Sequence, residues 1–114
     1  GLANRIGTSN SLVLATVELM ENHIADPLTL LQLAKLVGIS ERQLSRIFKK
    51  KLGRSTMAYY RYIRLGKAEN LLRNSNLKIS EIAEATGFSN QSHLTGLFSG
   101  SHGCAPSQYR LKRF

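Results

Sequence analysis

The sequence predicts an all-α fold of about seven helices, in which a long linker helix joins two helix–turn–helix subdomains. The first observation is a degenerate internal repeat, whose copies run over residues 30–53 and 79–103. The second is that apolar residues recur at helical spacing, while no segment shows the alternation of a strand. The third is the order of Ala, Gly and Ser within each copy, which suits two closely crossing helices.

The spacing of the repeat changes between its two helices. Three small residues recur 49 positions later, namely Ala34, Gly38 and Ser40 as Ala83, Gly87 and Ser89. Four later residues recur 50 positions later, namely Leu44, Phe48, Gly53 and Tyr59 as Leu94, Phe98, Gly103 and Tyr109. We therefore expect one extra residue in the second turn. In each copy Gly is expected to end the first helix and Ser to cap the second.

These signals divide the chain into four parts. Residues 1–10 are small, polar and interrupted by glycine, so they predict a linker or a disordered terminus. Residues 11–54 are expected to form the first helix–turn–helix subdomain. Residues 55–74 form the linker helix and residues 75–114 the second helix–turn–helix subdomain.

Capping residues mark the helix boundaries of the first subdomain. Apolar spacing predicts an opening helix over about residues 11–24. Thr29 with Gln32 and Ser40 with Gln43 have the spacing of capping boxes, so each pair is expected to begin a helix.

Similar signals order the rest of the chain. Ser55 is placed to cap the linker helix, and Pro106 suits the first turn of a last short helix. Phe48 and Phe98 close the apolar triplet of the second helix in each repeat. We expect both rings to be buried anchors of their subdomains.

The charge of the chain is high and unevenly distributed. Its 16 Lys and Arg outnumber 7 Asp and Glu, giving a formal net charge of +9. Such a balance favours a polyanionic partner, most often nucleic acid, although a merely soluble basic protein is the alternative. Residues 40–53 hold five basic residues and only Glu41 as an acid, whereas residues 90–103 hold no Lys, Arg, Asp or Glu.

Other functional classes lack their sequence signals. Cys104 is the only cysteine, so an intrachain disulfide is excluded and a reducing cytoplasm fits. No apolar run has membrane-spanning length and no secretory signal is visible, so we expect a cytoplasmic protein without a membrane partner. Metal-ligand spacing, paired carboxylates, phosphate loops and catalytic triads are not evident, so we expect neither an enzyme nor a metal or cofactor.

Four motifs carry a family resemblance that covers nearly the whole chain. They are L-A-K-L-V-G-I-S-E-R-Q-L-S-R-I-F-K (33–49), R-x-x-x-A-x-x-L-L (64–72), I-S-E-I-A-E-A-T-G-F-S-N-Q-S-H-L (79–94) and P-S-Q-Y-R (106–110). With these motifs the chain resembles the DNA-binding domain of the AraC/XylS family of bacterial transcription regulators. The resemblance implies binding to asymmetric sites in double-stranded DNA and, often, activation through contact with RNA polymerase.

The resemblance also implies a sensor domain outside this chain. The residues around Tyr59 and Arg64 resemble members that carry an N-terminal amidotransferase-like domain. Because the chain opens at Gly1 without Met, we expect it to be a fragment that lacks its N-terminal partner domain.

Site residues follow from the same resemblance. Recognition helices are implied at about residues 41–52 and 90–101. Base contacts map to Arg42, Ser45 and Arg46 in the first helix, and to Gln91, Ser92 and Thr95 in the second. Phosphate contacts are expected from Ser40, Lys49, Lys50, Arg54 and Arg110. For the arginines of the first helix, a phosphate clamp or a solvated side chain is the alternative to base contact; Gln91 has the alternative of being merely exposed.

The second recognition helix departs from the family pattern. Its usual Arg and Lys are absent, and Gly96 stands at the site that is normally basic. The sequence therefore predicts a sequence-specific DNA-binding transcription regulator that reads the major groove mainly through its first recognition helix. The alternative is a helical protein-interaction module whose neutral second half docks polymerase or a partner subunit.

Overall fold

The computed structural model describes residues 2–112, and all regular secondary structure in that range is helical. This confirms the predicted all-α fold class, with eight helices in the described range rather than about seven. They are α1 (Leu2–Ile6), α2 (Ser11–Asn22), α3 (Leu30–Val37), α4 (Glu41–Leu52), α5 (Thr56–Asn74), α6 (Ile79–Ala85), α7 (Gln91–His102) and α8 (Pro106–Leu111). Within residues 2–112, every helix is too short or too polar to cross a membrane.

Helix α1 lies in the segment that the sequence predicts to be a linker or a disordered terminus, so residues 2–6 are helical rather than disordered. The Arg5 guanidinium forms a two-pronged ion pair with the Glu21 carboxylate of α2, at 2.7 and 3.1 Å. Ile6 is partly buried, and Gly7 ends the helix with a φ of 89°. Five residues are too few to show helical periodicity, which is why the sequence pattern did not indicate this helix.

The chain divides into two compact units. The first comprises Gly1–His23 and Pro27–Arg61, and the second comprises Ile24–Asp26 and Tyr62–Phe114. The division falls inside α5, so this helix contributes to both units, whereas the sequence assigns residues 55–74 to a separate linker.

In the first unit, α2 contacts α3 and α4 around one core. Its buried residues are Val13, Val17, Met20, Leu33, Ala34, Leu44, Phe48 and Tyr60. The Tyr60 hydroxyl donates to the carbonyl of His23 and accepts the N–H of Leu28 at 3.0 Å. One buried phenol therefore fixes both ends of the loop between α2 and α3. Helix α2 itself ends at Asn22, slightly before the predicted boundary.

Two capping boxes begin α3 and α4, as the sequence predicts. The hydroxyls of Thr29 and Ser40 each accept a backbone N–H at 3.1 Å, from Gln32 and Gln43 respectively. Between the two helices, Gly38 has a φ of 81°, which side-chain-bearing residues rarely adopt. The chain therefore turns at a residue that tolerates the turn, and the next helix begins at a satisfied cap.

In the second unit, α6, α7 and α8 enclose a separate core with the C-terminal part of α5. Its buried residues are Leu65, Ala68, Leu72, Ile82, Ala83, Phe88, Leu94 and Phe98. The cap of α7 is Asn90, whose side-chain oxygen accepts the N–H of His93 at 2.8 Å. The expectation that Ser89 caps this helix is therefore wrong. Gly87 stands 49 positions after Gly38, whereas Asn90 stands 50 positions after Ser40. The extra residue of the second turn therefore lies between Gly87 and Asn90.

Phe48 and Phe98 are fully buried, as predicted, and each contacts a tyrosine ring: Phe48 and Tyr59 have centroids 6.0 Å apart, Phe98 and Tyr109 5.3 Å. We predict that Phe→Ala at either position lowers the free energy of unfolding by about 3–5 kcal/mol, because it removes apolar contacts and leaves a cavity. Urea denaturation measures the change. The control Leu36→Ala, at a side chain 61% exposed, should have a much smaller effect. Equal effects in all three variants would contradict the assigned helix faces.

Thr56, the first residue of α5, has a buried hydroxyl oxygen without a hydrogen-bond partner among the described residues. Pro106 stands 50 positions later, as the first residue of α8. We predict that Thr56→Pro raises the free energy of unfolding by about 0.5–1 kcal/mol, because proline fits a first helical position and restricts the unfolded chain.

Thermal denaturation with two comparison variants tests this prediction. Thr56→Val removes the hydroxyl without restricting the backbone. It therefore separates the effect of losing the buried hydroxyl from the effect of proline on the backbone. Ser55→Ala should destabilise by about 1 kcal/mol, because the Ser55 hydroxyl accepts the N–H of Ala58 at 3.2 Å. A destabilised Thr56→Pro variant would contradict the assigned start of α5.

Candidate nucleic-acid interface

Helix α4 presents a continuous basic face on the side opposite its buried residues. Arg42, Ser45, Arg46, Lys49 and Lys50 are spaced at i, i+3, i+4, i+7 and i+8, so they share one side of the helix. We call this set the α4 basic face. Its four cationic side chains are exposed and Ser45 is partly buried, whereas Leu44 and Phe48 on the opposite side are inaccessible to solvent.

Both ends of α4 are held by local hydrogen bonds. At its start, the Ser40 hydroxyl accepts the N–H of Gln43 and faces the Gln43 Oε1 at 3.1 Å. At its end, Gly53 adopts a φ of 73° and donates to the carbonyl of Lys49 at 3.0 Å. Within the part of the chain that the structure describes, Arg42 and Arg46 form no hydrogen bond or ion pair. Their guanidinium groups are therefore available on a helix that is capped at both ends.

Three of the predicted phosphate contacts have intramolecular neighbours. The Ser40 hydroxyl is engaged in the helix cap, and the Lys49 Nζ lies 3.3 Å from the carbonyl oxygen of Gly53. Arg54 is exposed but also interacts within the chain. Phosphate contacts by these three residues, and by Lys50, stay predictions.

Arg110, the remaining predicted phosphate contact, is engaged within the second unit. Its guanidinium lies within hydrogen-bond distance of four backbone carbonyls, those of Leu71 (3.4 Å), Leu72 (3.2 Å), Ser75 (3.3 Å) and Leu77 (2.5 Å). Carbonyls at the end of a helix lack intrahelical partners, and a cation there is favourable. Arg110 therefore fixes the end of α5 and the loop before α6, and its phosphate contact stays a prediction.

Helix α7 carries small neutral residues at the positions that form the α4 basic face. The repeat offset of 50 places Ser92, Thr95, Gly96, Ser99 and Gly100 there. We call this set the α7 small face. A Cβ added at Gly96 or Gly100 would meet no atom within 4 Å, so packing within the fold does not require either glycine. The structure thus leaves Ser92 exposed, Thr95 partly buried and Gln91 exposed at the helix start, and their base contacts stay predictions.

The far end of α7 is held by the carboxylate of Glu69, on α5. One carboxylate oxygen accepts the Tyr109 hydroxyl at 2.6 Å, and the other lies 3.0 Å from the His102 Nε2. The His102 ring stacks on Phe98, with centroids 4.0 Å apart. The hydrogen bond from Tyr109, followed by that from His102, lowers the pKa of Glu69 below its ordinary value. This network ties the ends of α7 and α8 to α5 within the second unit.

The lowered pKa of Glu69 predicts a loss of stability in acid. A carboxyl group whose pKa falls on folding stabilises the fold above its unfolded pKa, about 4.3 for Glu, and this contribution disappears as the pH falls through the folded value. We therefore expect Glu69→Gln to be less stable than the wild type at neutral pH, with a difference that shrinks below about pH 4. Urea denaturation at several pH values measures it.

Glu84→Gln provides the matched control, since Glu84 lies exposed on α6. This variant should follow the wild-type pH dependence throughout. A Glu69→Gln difference that stays constant between neutral and acid pH would contradict the role of the ionised carboxylate.

Two helix–turn–helix units, one with an exposed basic recognition helix, define a helix–turn–helix DNA-binding domain as the class of this protein. A family model described as a helix-turn-helix domain matches residues 33–112. The transcriptional regulator GlxA of Rhizobium meliloti is 41% identical over 110 residues, covering 96% of this chain and 34% of that protein. The regulator ArgR of Pseudomonas aeruginosa is 37% identical over 112 residues, covering 98% and 34%. The chain spans about a third of the length of these curated relatives.

Solved structures agree with this assignment. A transcriptional regulator from Chromobacterium violaceum with an AraC-type DNA-binding domain matches with a TM-score of 0.88 and 35% identity, over 92% of this chain and 94% of that chain. The DNA-binding domain of AdpA, solved in complex with a target DNA, matches with a TM-score of 0.83 and 26% identity, over 90% and 92%. The chain belongs to the AraC-type family of helix–turn–helix DNA-binding domains, as its motifs imply.

Proposed function

We propose that this domain is a sequence-specific double-stranded DNA-binding transcription regulator that reads the major groove mainly through α4. The observation that carries the proposal is the α4 basic face, which exposes four cations on the side opposite the fully buried Leu44 and Phe48. The major groove of B-DNA is about 12 Å wide and admits an α-helix. A helix seated there directs its outward side chains at base edges, while cations at its rim meet phosphates.

The α4 basic face suits a division of roles between its residues. Arg42 and Arg46, one helical turn apart, can each donate two hydrogen bonds to guanine O6 and N7, the commonest specific contact. Ser45 lies between them in the sequence, and its hydroxyl can form a hydrogen bond with a donor or an acceptor on a base edge. Lys50 lies closer to the helix end, where a phosphate contact contributes affinity without sequence preference.

The relatives support a regulatory role for the protein that carries this domain. They are named as HTH-type transcriptional regulators, and AdpA was solved with its target DNA. We propose that the domain acts on chromosomal DNA in the cytoplasm and contacts RNA polymerase. We further propose that a sensor domain N-terminal to this chain controls it, and that its function involves no catalysis.

Fluorescence anisotropy over a range of salt concentrations tests the proposal. If the domain neutralises about four phosphates, log affinity should fall with log salt at a slope of about −3.6. A slope shallower than about −2 would contradict an extensive phosphate interface. An absence of binding at low salt would overturn the proposal itself.

We predict that Arg46→Ala weakens binding to the selected site by about 1–3 kcal/mol and relaxes preference at one base position, because a bidentate base contact is lost. Lys50→Ala is the matched comparison on the same face. It should weaken binding to all sequences about equally and reduce the salt slope by about 1. Binding-site selection followed by anisotropy measures both effects. Selection of the full wild-type motif by Arg46→Ala would refute its base-reading role.

A second candidate function applies to α7. Its small face carries no charge, which favours contact with a protein, such as polymerase or a partner subunit, over contact with DNA. In this alternative the first unit binds DNA and the second docks the protein.

Substitution of Gly96 distinguishes the two roles of α7. If α7 lies in the groove, we predict that Gly96→Arg tightens binding to non-specific DNA, because it adds a cation where Arg46 stands in α4 and the site has room for a side chain. Gly96→Ala is the control, since alanine restores about 1 kcal/mol of helix propensity without charge. Equal tightening by Ala and Arg would show that rigidity was limiting. Unchanged affinity in both variants would favour the protein-docking role.

A further inference from the structure

Arg64, on α5, holds the turn between α6 and α7 from within the second unit. Its Nε donates to the carbonyl of Thr86 at 2.9 Å, and its Nη2 donates to the carbonyl of Gly87 at 2.7 Å. Its guanidinium carbon also lies 4.3 Å from the centroid of the Phe88 ring. One planar cation thus contacts three consecutive residues of the turn.

The contact continues from the turn into α7. Phe88 is only 5% exposed, and its ring packs edge-on against His93, with centroids 5.6 Å apart and planes at 80°. His93 is the residue whose N–H is capped by Asn90. A chain of direct contacts therefore runs from α5 through Arg64, Phe88 and His93 to the first turn of α7.

This turn needs such support more than its counterpart does. Between its flanking helices it has five residues, 86–90, against three, 38–40, in the turn between α3 and α4, and a longer turn has more conformations to restrict. The carbonyls of Thr86 and Gly87 follow the end of α6, where helical partners are missing. A guanidinium can bond both carbonyls and cover a ring at once, whereas a lysine ammonium acts as a single point charge.

We propose that Arg64 is a positioning residue that fixes the direction in which α7 leaves the turn, and thereby determines which bases the second unit selects. The part concerning bases rests on the proposed DNA-binding function. Arg64 acts through Phe88 and the turn. Its substitution therefore changes selectivity without removing a phosphate contact.

Amide hydrogen exchange tests the positioning role without DNA. In Arg64→Lys, we expect exchange of the His93 and Leu94 amides, whose N–H groups donate to Asn90, to accelerate about tenfold or more, because charge-assisted hydrogen bonds to the turn are lost. The amides of α6 and α8 should change much less. Unchanged exchange at His93 and Leu94, or an equal rise throughout α6, α7 and α8, would overturn the proposal.

Two further sets of variants sharpen this measurement. Phe88→Tyr keeps the ring and should retain wild-type exchange in α7, whereas Phe88→Leu loses the cation–ring contact and should resemble Arg64→Lys. Lys67→Met removes an exposed cation from the same helix and should leave α7 unchanged. Wild-type exchange in Phe88→Leu would show that the ring does not transmit the effect.

Binding-site selection tests the consequence for DNA. The Arg46→Ala variant identifies which base positions α4 reads. Arg64→Lys should retain the preference at those positions, lose the preference at the remaining positions, and show the wild-type salt slope. Retention of the whole motif by Arg64→Lys would overturn the role in selectivity. If the wild type selects no motif, the proposed function fails, and the claim about base selection falls with it; hydrogen exchange then decides the positioning role alone.

Discussion

The burial of Leu44 and Phe48 is the constraint on which the interface depends. These residues are four positions apart and inaccessible to solvent, so they fix the rotation of α4 about its axis. With that rotation fixed, Arg42 and Arg46 must point away from the core. The same apolar contacts that stabilise the first unit therefore orient the cations of α4 toward solvent.

The two units use one scaffold for different surfaces. Leu94 and Phe98 are buried in α7 as their counterparts are in α4. The outward positions nevertheless differ. The two Arg and two Lys of the α4 basic face correspond to two Ser and two Gly of the α7 small face. The two copies thus share the inward pattern, which packing restricts, and differ completely in the charge of the outward pattern. This asymmetry is the physical basis of the proposal that the domain reads DNA mainly through the first unit.

Features encoded by local spacing were predictable from the sequence. The capping boxes at Thr29 and Ser40, the burial of Phe48 and Phe98, and the basic side of α4 all follow from residues within a few positions of one another. Such signals depend on helix geometry alone, and helix geometry is the same in every protein.

Features that depend on distant partners were not predictable. Arg5 of α1 forms an ion pair with Glu21 of α2, which no local pattern indicates. Arg64 and Arg110 are identical in composition to the arginines of α4, yet both are directed at backbone carbonyls in the second unit. Only the fold reveals which carbonyls lie within reach, so formal charge overstates the number of cations available to a polyanion.

The open space around Gly96 and Gly100 separates folding from recognition in the second unit. Neither glycine has a positive φ, and a Cβ added at either would meet no atom within 4 Å, so we expect substitution at these sites to leave the core intact. We therefore expect variants with single substitutions at Gly96 or Gly100 to retain the fold. On the proposed function, a change on the α7 small face would alter what the second unit recognises while leaving the DNA contacts of α4 in place.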